Sequence, residues 1–159
     1  MTDLPSASQR IADAAKALGL DIAITIHDHP TRSAEEAALA CGCDVAQIVK
    51  SLVFKSARSH DPLLFLVSGA NRVDLEAVGK ALGEGIERPD AKFVREVTGF
   101  AIGGIPPFGH ARPLTTYMDE GLLAFNRVWA AAGTPNTVFA VKPVTLLECL
   151  NAKPIRPHG

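Results

Sequence analysis

Gly103-Gly104-Ile105-Pro106-Pro107-Phe108-Gly109 is the least ordinary stretch of this chain. Glycines let the backbone approach a ligand closely, and prolines hold the neighbouring φ angles fixed. Such a loop can aim backbone N–H groups rigidly at a carbonyl or a developing oxyanion. It can equally be a tight connection between two strands. His110 follows it directly, at the edge of whatever the loop presents. Lys50 opens a second candidate segment, Val49-Lys50-Ser51-Leu52-Val53-Phe54-Lys55. Period-two alternation puts Lys50 on the face of Leu52 and Phe54, and Ser51 on the opposite face with Val53 and Lys55. A lysine at a partly apolar pocket is a concentrated positive charge suited to a phosphate or a polarised carbonyl. A lysine snorkelling from a strand end to solvent has the same sequence signature.

The remaining reactive residues make weaker groupings. His27 and His29 alternate with Asp28 and share a strand face, half of a metal site without an evident third ligand. Cys41 and Cys43 could offer two thiolates, but no second pair at zinc-finger spacing completes the set, and Cys149 is remote. No metal or other cofactor is therefore expected, and the odd cysteine count argues against a disulfide framework. There is no Gly-x-Ser-x-Gly elbow, no dinucleotide fingerprint and no P-loop. Asp74, Asp90 and Asp119 stand where helix caps are needed.

The elements that would position these residues alternate along the chain. Ser6 with Gln9 resembles a capping box ahead of an apolar helical face made by Ile11, Ala14, Ala15 and Leu18. Asp21 to His27 alternates as a strand. Ser33 with Glu36 opens an alanine-rich helix ending at Gly42, and Asp44 caps a short turn. Ile48–Lys55 and Leu63–Val67 read as strands paired in a hairpin. Helices follow from Asp74 and from Asp90, then a short strand Phe100–Gly104 leads into the Gly/Pro loop. Leu114–Met118 and Thr137–Val141 read as strands, Asp119–Ala132 as partly helical, and Thr145 with Glu148 as the start of a last helix. Several strand-to-strand links are too short for a helical crossover, so the sheet should be mixed rather than all parallel.

A chain of 159 residues with 47% apolar content suits one domain with one core, spanning residues 1–159. No apolar run approaches the ~20 residues of a membrane helix. The segment Met1-Thr2-Asp3-Leu4-Pro5 lacks the basic and apolar regions of a secretory signal, so the cytoplasm is the expected location. A net charge of −1 excludes a dominant nonspecific grip on DNA or other nucleic acid. Local contacts with a nucleic acid remain open.

Taken in order, Ile48-Val49-Lys50-Ser51-Leu52-Val53-Phe54, Ser68-Gly69, Val73-Asp74-Leu75 and the Gly103–Gly109 loop resemble the YbaK/prolyl-tRNA-synthetase-associated family. Thr31 to Gly42 resembles that family's Glu- and Ala-rich helix, and the similarity covers roughly residues 22–141. The resemblance implies an α/β (mixed α+β) fold, a curved mixed sheet flanked by helices. It implies hydrolysis of the ester between a wrongly attached small amino acid and tRNA, as in the editing domain of bacterial prolyl-tRNA synthetases and its free-standing relatives. The partner would be the acceptor end of a mischarged tRNA, a proline acceptor by analogy, and prolyl-tRNA synthetase itself. The family's functional lysine falls on Lys50, and its Gly-x-x-x-Pro loop on Gly103, Gly104 and Pro107. Ser51, Ile105, Pro106, Phe108, Gly109 and His110 would then contact substrate. A non-catalytic module holding tRNA ends or a nucleotide, or a structural partner of a synthetase, would share the fold.

Overall fold

The structure, a computed structural model, describes residues 3–158; Met1 and Thr2, where the reading of the N-terminus began, and Gly159 lie outside the described residues. Chain order is α1 (Ser6–Leu18), β1 (Ile24–Ile26), α2 (Ala34–Cys41), β2 (Val49–Ser56), β3 (Pro62–Ser68), α3 (Leu75–Leu82) and β4 (Ile86–Glu87). It continues through α4 (Ala91–Thr98), β5 (Thr115–Asp119), β6 (Val128–Ala131), β7 (Thr137–Val141), α5 (Pro143–Cys149) and β8 (Lys153–Ile155). Short side chains start several helices as expected. The Ser33 hydroxyl accepts the Glu36 N–H at 3.1 Å, and the Asp74 and Asp90 carboxylates accept those of Ala77 and Phe93 at 3.0 and 2.8 Å.

Among the described residues the strands form a five-stranded sheet ordered β4-β2-β3-β5-β8 and a three-stranded sheet ordered β1-β7-β6. β2 and β3 are the expected antiparallel hairpin, with Lys50 opposite Val67, whereas β3–β5 and β5–β8 are parallel. The sheet is thus mixed. One parallel bridge, Ile48 to Trp129, joins the start of β2 to β6 and curls the two sheets toward each other.

β3 is buried along its whole length because both of its faces are covered. Leu64 and Leu66 pack into the larger core with Ile11, Val97, Met118, Phe139 and Leu146. Phe65, on the other face, meets Phe54 edge-on at 5.3 Å and stacks on Tyr117 at 5.1 Å, under Val78 of α3.

Several sequence expectations are corrected. Ser6 does not cap α1: Pro5 occupies that position, and the Gln9 amide bonds Asp13 instead. β1 is only Ile24–Ile26, so His27 follows its end, His29 lies in the bend beyond, and the two do not share a strand face. Phe100–Gly104 is a turn; the Thr98 hydroxyl takes the Phe100 N–H at 3.0 Å and Gly104 N–H closes on Ala101 O at 3.3 Å, so no edge is left to pair. The Asp119–Ala132 segment is 310 only over Glu120–Ala124 and then becomes β6. α5 begins at Pro143, which suits a first helical position because it needs no N–H partner there.

Candidate functional site

β2 pairs with β3 along its length but with β4 only at Lys55 and Ser56. Its opposite edge is therefore open over the first half of the strand. The direction of its backbone groups follows from pairing at both ends. Ile48 O accepts the Gly69 N–H on the β3 side, and Ala57 N–H donates to Gly85 O on the other side. Alternation then turns the N–H and C=O of Ser51 to the open edge.

A cavity of about 390 Å³ occupies that edge, where β2 and β6 part beyond the Ile48–Trp129 bridge. Lys50, Ser51 and Leu52 form one side, Trp129 to Ala131 another, and Ile102, Gly103 and Ile105 close over it. Thr134, Pro135, Thr137 and the start of α2, with Arg32 and Ser33, complete the wall.

Lys50 is half-buried, and its ammonium donates to the backbone carbonyl of Asn71. Burial holds its pKa below the ordinary lysine value, and the nearby Arg72 guanidinium pushes the same way. Glu35 and Asp119 partly oppose this. Ser51 contributes a different kind of signal. Its Oγ is buried and has no hydrogen-bond partner among the described residues. An unpaired buried hydroxyl is costly, and a ligand supplying a partner removes that cost.

The loop is held by close contact rather than by side chains. Gly103 has φ +106°, a conformation an L side chain rarely adopts. Gly104 accepts the Gly133 N–H at 3.0 Å, and a Cβ there would lie 2.7 Å from Thr134 N and Cα. Gly103 lines the cavity, and its N–H takes no backbone partner among the described residues.

A family model, Aminoacyl-tRNA editing domain, matches residues 28–149. The chain belongs to the aminoacyl-tRNA editing domain family. A solved structure of a "putative trans-editing enzyme for prolyl tRNA synthetase" is 42% identical, with TM-score 0.90, covering 97% of this chain and 98% of that one. The hypothetical protein APE2540 is 26% identical with TM-score 0.85, over 92% of this chain and 97% of its own. The uncharacterized protein YwhH of Bacillus subtilis (strain 168) is 29% identical over 79% of each chain. The mixed sheet and flanking helices are thus those of solved editing-domain relatives.

Within this editing domain the Gly/Pro loop divides at Ile105. Its first part meets Lys50 and Ser51 in one cavity. Pro107, Phe108, Gly109 and His110 instead line a separate cleft against Ala14 and Leu18 of α1. Phe108 is core, tilted against Phe139 at 5.6 Å. His110 is partly buried beside Pro106, with Nε2 2.8 Å from the Pro106 carbonyl; burial lowers its pKa. Gly104 and Pro106 are buried between the two parts.

Sequence reasoning missed Trp129, Thr134, Thr137 and Arg32. The one tryptophan in the chain, followed by the turn Gly133-Thr134-Pro135-Asn136, was the available signal. Among the described residues no group of three or more His, Cys, Asp or Glu is placed to hold a metal. His27 Nε2 lies 3.9 Å from Cys41 Sγ, and burial with the neighbouring Cys43 raises the Cys41 thiol to about 11. A thiol so raised is protonated at neutral pH and is a poor ligand or nucleophile. No helix is long and apolar enough to cross a membrane among the described residues.

Proposed function

We propose that this editing domain acts in trans as an aminoacyl-tRNA deacylase, hydrolysing the ester of a small amino acid wrongly attached to tRNA(Pro). The observation that carries the reading is one cavity bordered by the Lys50 ammonium, the unpartnered Ser51 hydroxyl and the Gly103 turn. The 42% identical trans-editing relative, matched over 98% of its length, supports both the free-standing action and the tRNA. The whole of residues 1–159 serves as one editing domain, working in the cytoplasm on tRNA released by prolyl-tRNA synthetase.

The chemistry asks little of the protein. An aminoacyl ester is more reactive than an amide, and hydrolysis needs a positioned water and a stabilised carbonyl oxygen. Lys50 holds the terminal phosphate or ribose end of the acceptor. Backbone N–H groups of Gly103 and Ser51 face the carbonyl, and the Ser51 hydroxyl bonds the aminoacyl group. A substrate hydroxyl activates the water, which accounts for a site without a protein general base. The amino acid lies against Ile105, Ala130 and Val138, in a space suited to a small side chain.

An adenosine carrying an aminoacyl group through an amide instead of an ester tests this placement. NMR shifts should move at Lys50, Ser51, Gly103 and Trp129. Shifts confined to Pro107–His110 and α1 would put the ligand in the other cleft and defeat the assignment.

Two further outcomes follow. Deacylation should be unchanged by a chelator, since no ligand set for a metal is assembled at this cavity; loss of turnover restored specifically by zinc would contradict that. With a net charge of −1, affinity for tRNA should rest on few phosphate contacts. The plot of log K against log salt should then have a slope of about −2, the value for about three phosphate contacts on a single strand. A slope several times steeper, measured by filter binding, would reveal a basic surface absent from this account.

A further inference from the structure

Asp119 stands at the end of β5, behind the residues that line the cavity, and is only 1% exposed. Its carboxylate does more than cap the 310 turn through the Gly121 N–H at 2.8 Å. The second oxygen accepts the Ser68 N–H at 3.1 Å and the Asn71 side-chain amide at 2.8 Å. Ser68 and Asn71 delimit the turn that leaves β3, closed by the Asn71 N–H on Ser68 O at 2.9 Å. The Ser68 hydroxyl ties the same turn to Ala46 O at 2.7 Å. Asn71, gripped by its side chain, offers its backbone carbonyl to the Lys50 ammonium.

We infer that Asp119 is a positioning residue for Lys50, acting through Asn71. The inference rests on the reading of Lys50 as the residue that holds the substrate. A lysine ammonium on a four-carbon stem has many orientations, and each one frozen in advance is not lost on binding. One N–H is committed to Asn71 O, which leaves the other two fixed in direction for a phosphate or ribose oxygen. The buried carboxylate also favours the charged form of Lys50, together with Glu35, against burial and Arg72.

The experiment uses the full chain labelled with carbon-13 at lysine Cε, with the Lys50 signal assigned by its loss in Lys50→Arg. Lys50 should titrate at lower pH in Asp119→Asn, because a negative charge that favours its ammonium has gone. It should also titrate at lower pH in Asn71→Ala, which keeps the backbone carbonyl but frees it from Asp119. Both variants should lose about 10- to 100-fold in single-turnover deacylation, the order of loss for a displaced positioning group. Asn71→Ala removes only a half-buried amide, so it decides the matter where Asp119→Asn melts too low to assay. A purely structural role would lower the melting temperature and leave the Lys50 midpoint in place. An unmoved midpoint in folded Asn71→Ala overturns the inference. A moved midpoint in a protein whose wild type releases no amino acid upholds the positioning and overturns the deacylase reading instead.

Discussion

Lys50→Ala should lose about 10²–10³-fold in deacylation, the scale of removing one oriented electrostatic contact from a partly desolvated site. Lys50 reaches the cavity from the β2 face that carries Leu52 and Phe54, and its ammonium is aimed by the Asn71 carbonyl. No other lysine borders the cavity, and the one guanidinium on its wall, Arg32, stands across it at the start of α2. Losing a partly buried, charge-assisted hydrogen bond should cost about 2 kcal/mol of stability, or about 6 °C in melting temperature for a chain of this size. The fold should therefore survive. Lys55→Ala is the control: Lys55 lies on the opposite face, 3.9 Å from Glu87 and over the Phe93 ring. Its turnover should stay within about twofold of wild type, since exposed pairs of this kind contribute little. Near-normal turnover in Lys50→Ala, or an inactive Lys55→Ala, would move the site elsewhere.

Gly104→Ala should be the second severe substitution, and for a different reason. The new methyl would meet backbone on two residues, Thr134 N and Cα at 2.7 Å and Gly133 C at 2.8 Å. Backbone cannot rotate aside as a flexible side chain can, so the Gly103–Ile105 turn must lift from the Gly133–Pro135 turn. Overpacking of this kind costs about 1–3 kcal/mol, and a displacement of about 1 Å at the cavity costs about 10²-fold in rate. Gly103→Ala separates strain from clash. Its methyl would make only an ordinary contact, with Pro135 Cγ at 3.8 Å, but φ of +106° would still disfavour it. Thermal melting beside single-turnover rates should rank Gly104→Ala below Gly103→Ala in both stability and activity. Equal effects would mean that the turn is not clamped as the contacts indicate.

What could be read from the sequence was whatever local pattern controls. The β2–β3 hairpin, the alternation that separates Lys50 from Lys55, and the Ser33, Asp74 and Asp90 caps depend on neighbours a few residues away. β6 was hidden because it is four residues long and is held by pairing with β7 and by the Ile48–Trp129 bridge, not by a long periodic run. β4 and β8, shorter still, are edge strands fixed by their partners. The Gly/Pro loop was legible as a motif, but its division at Ile105 was not. That division follows from two packing partners far apart in sequence, the Gly133–Pro135 turn on one side and α1 on the other. Asp119 could be read as a helix cap, and it is one; its reach to Ser68 and Asn71 exists only once β3 and β5 lie parallel.

Release of amino acid from a panel of tRNA(Pro) samples, each charged with a different small amino acid, tests the central claim most directly. Purified protein should free at least one of the wrong amino acids at a rate far above spontaneous ester hydrolysis and leave prolyl-tRNA(Pro) intact. Retained binding of these tRNAs with no turnover on any of them would contradict the deacylase and leave a binding module in its place.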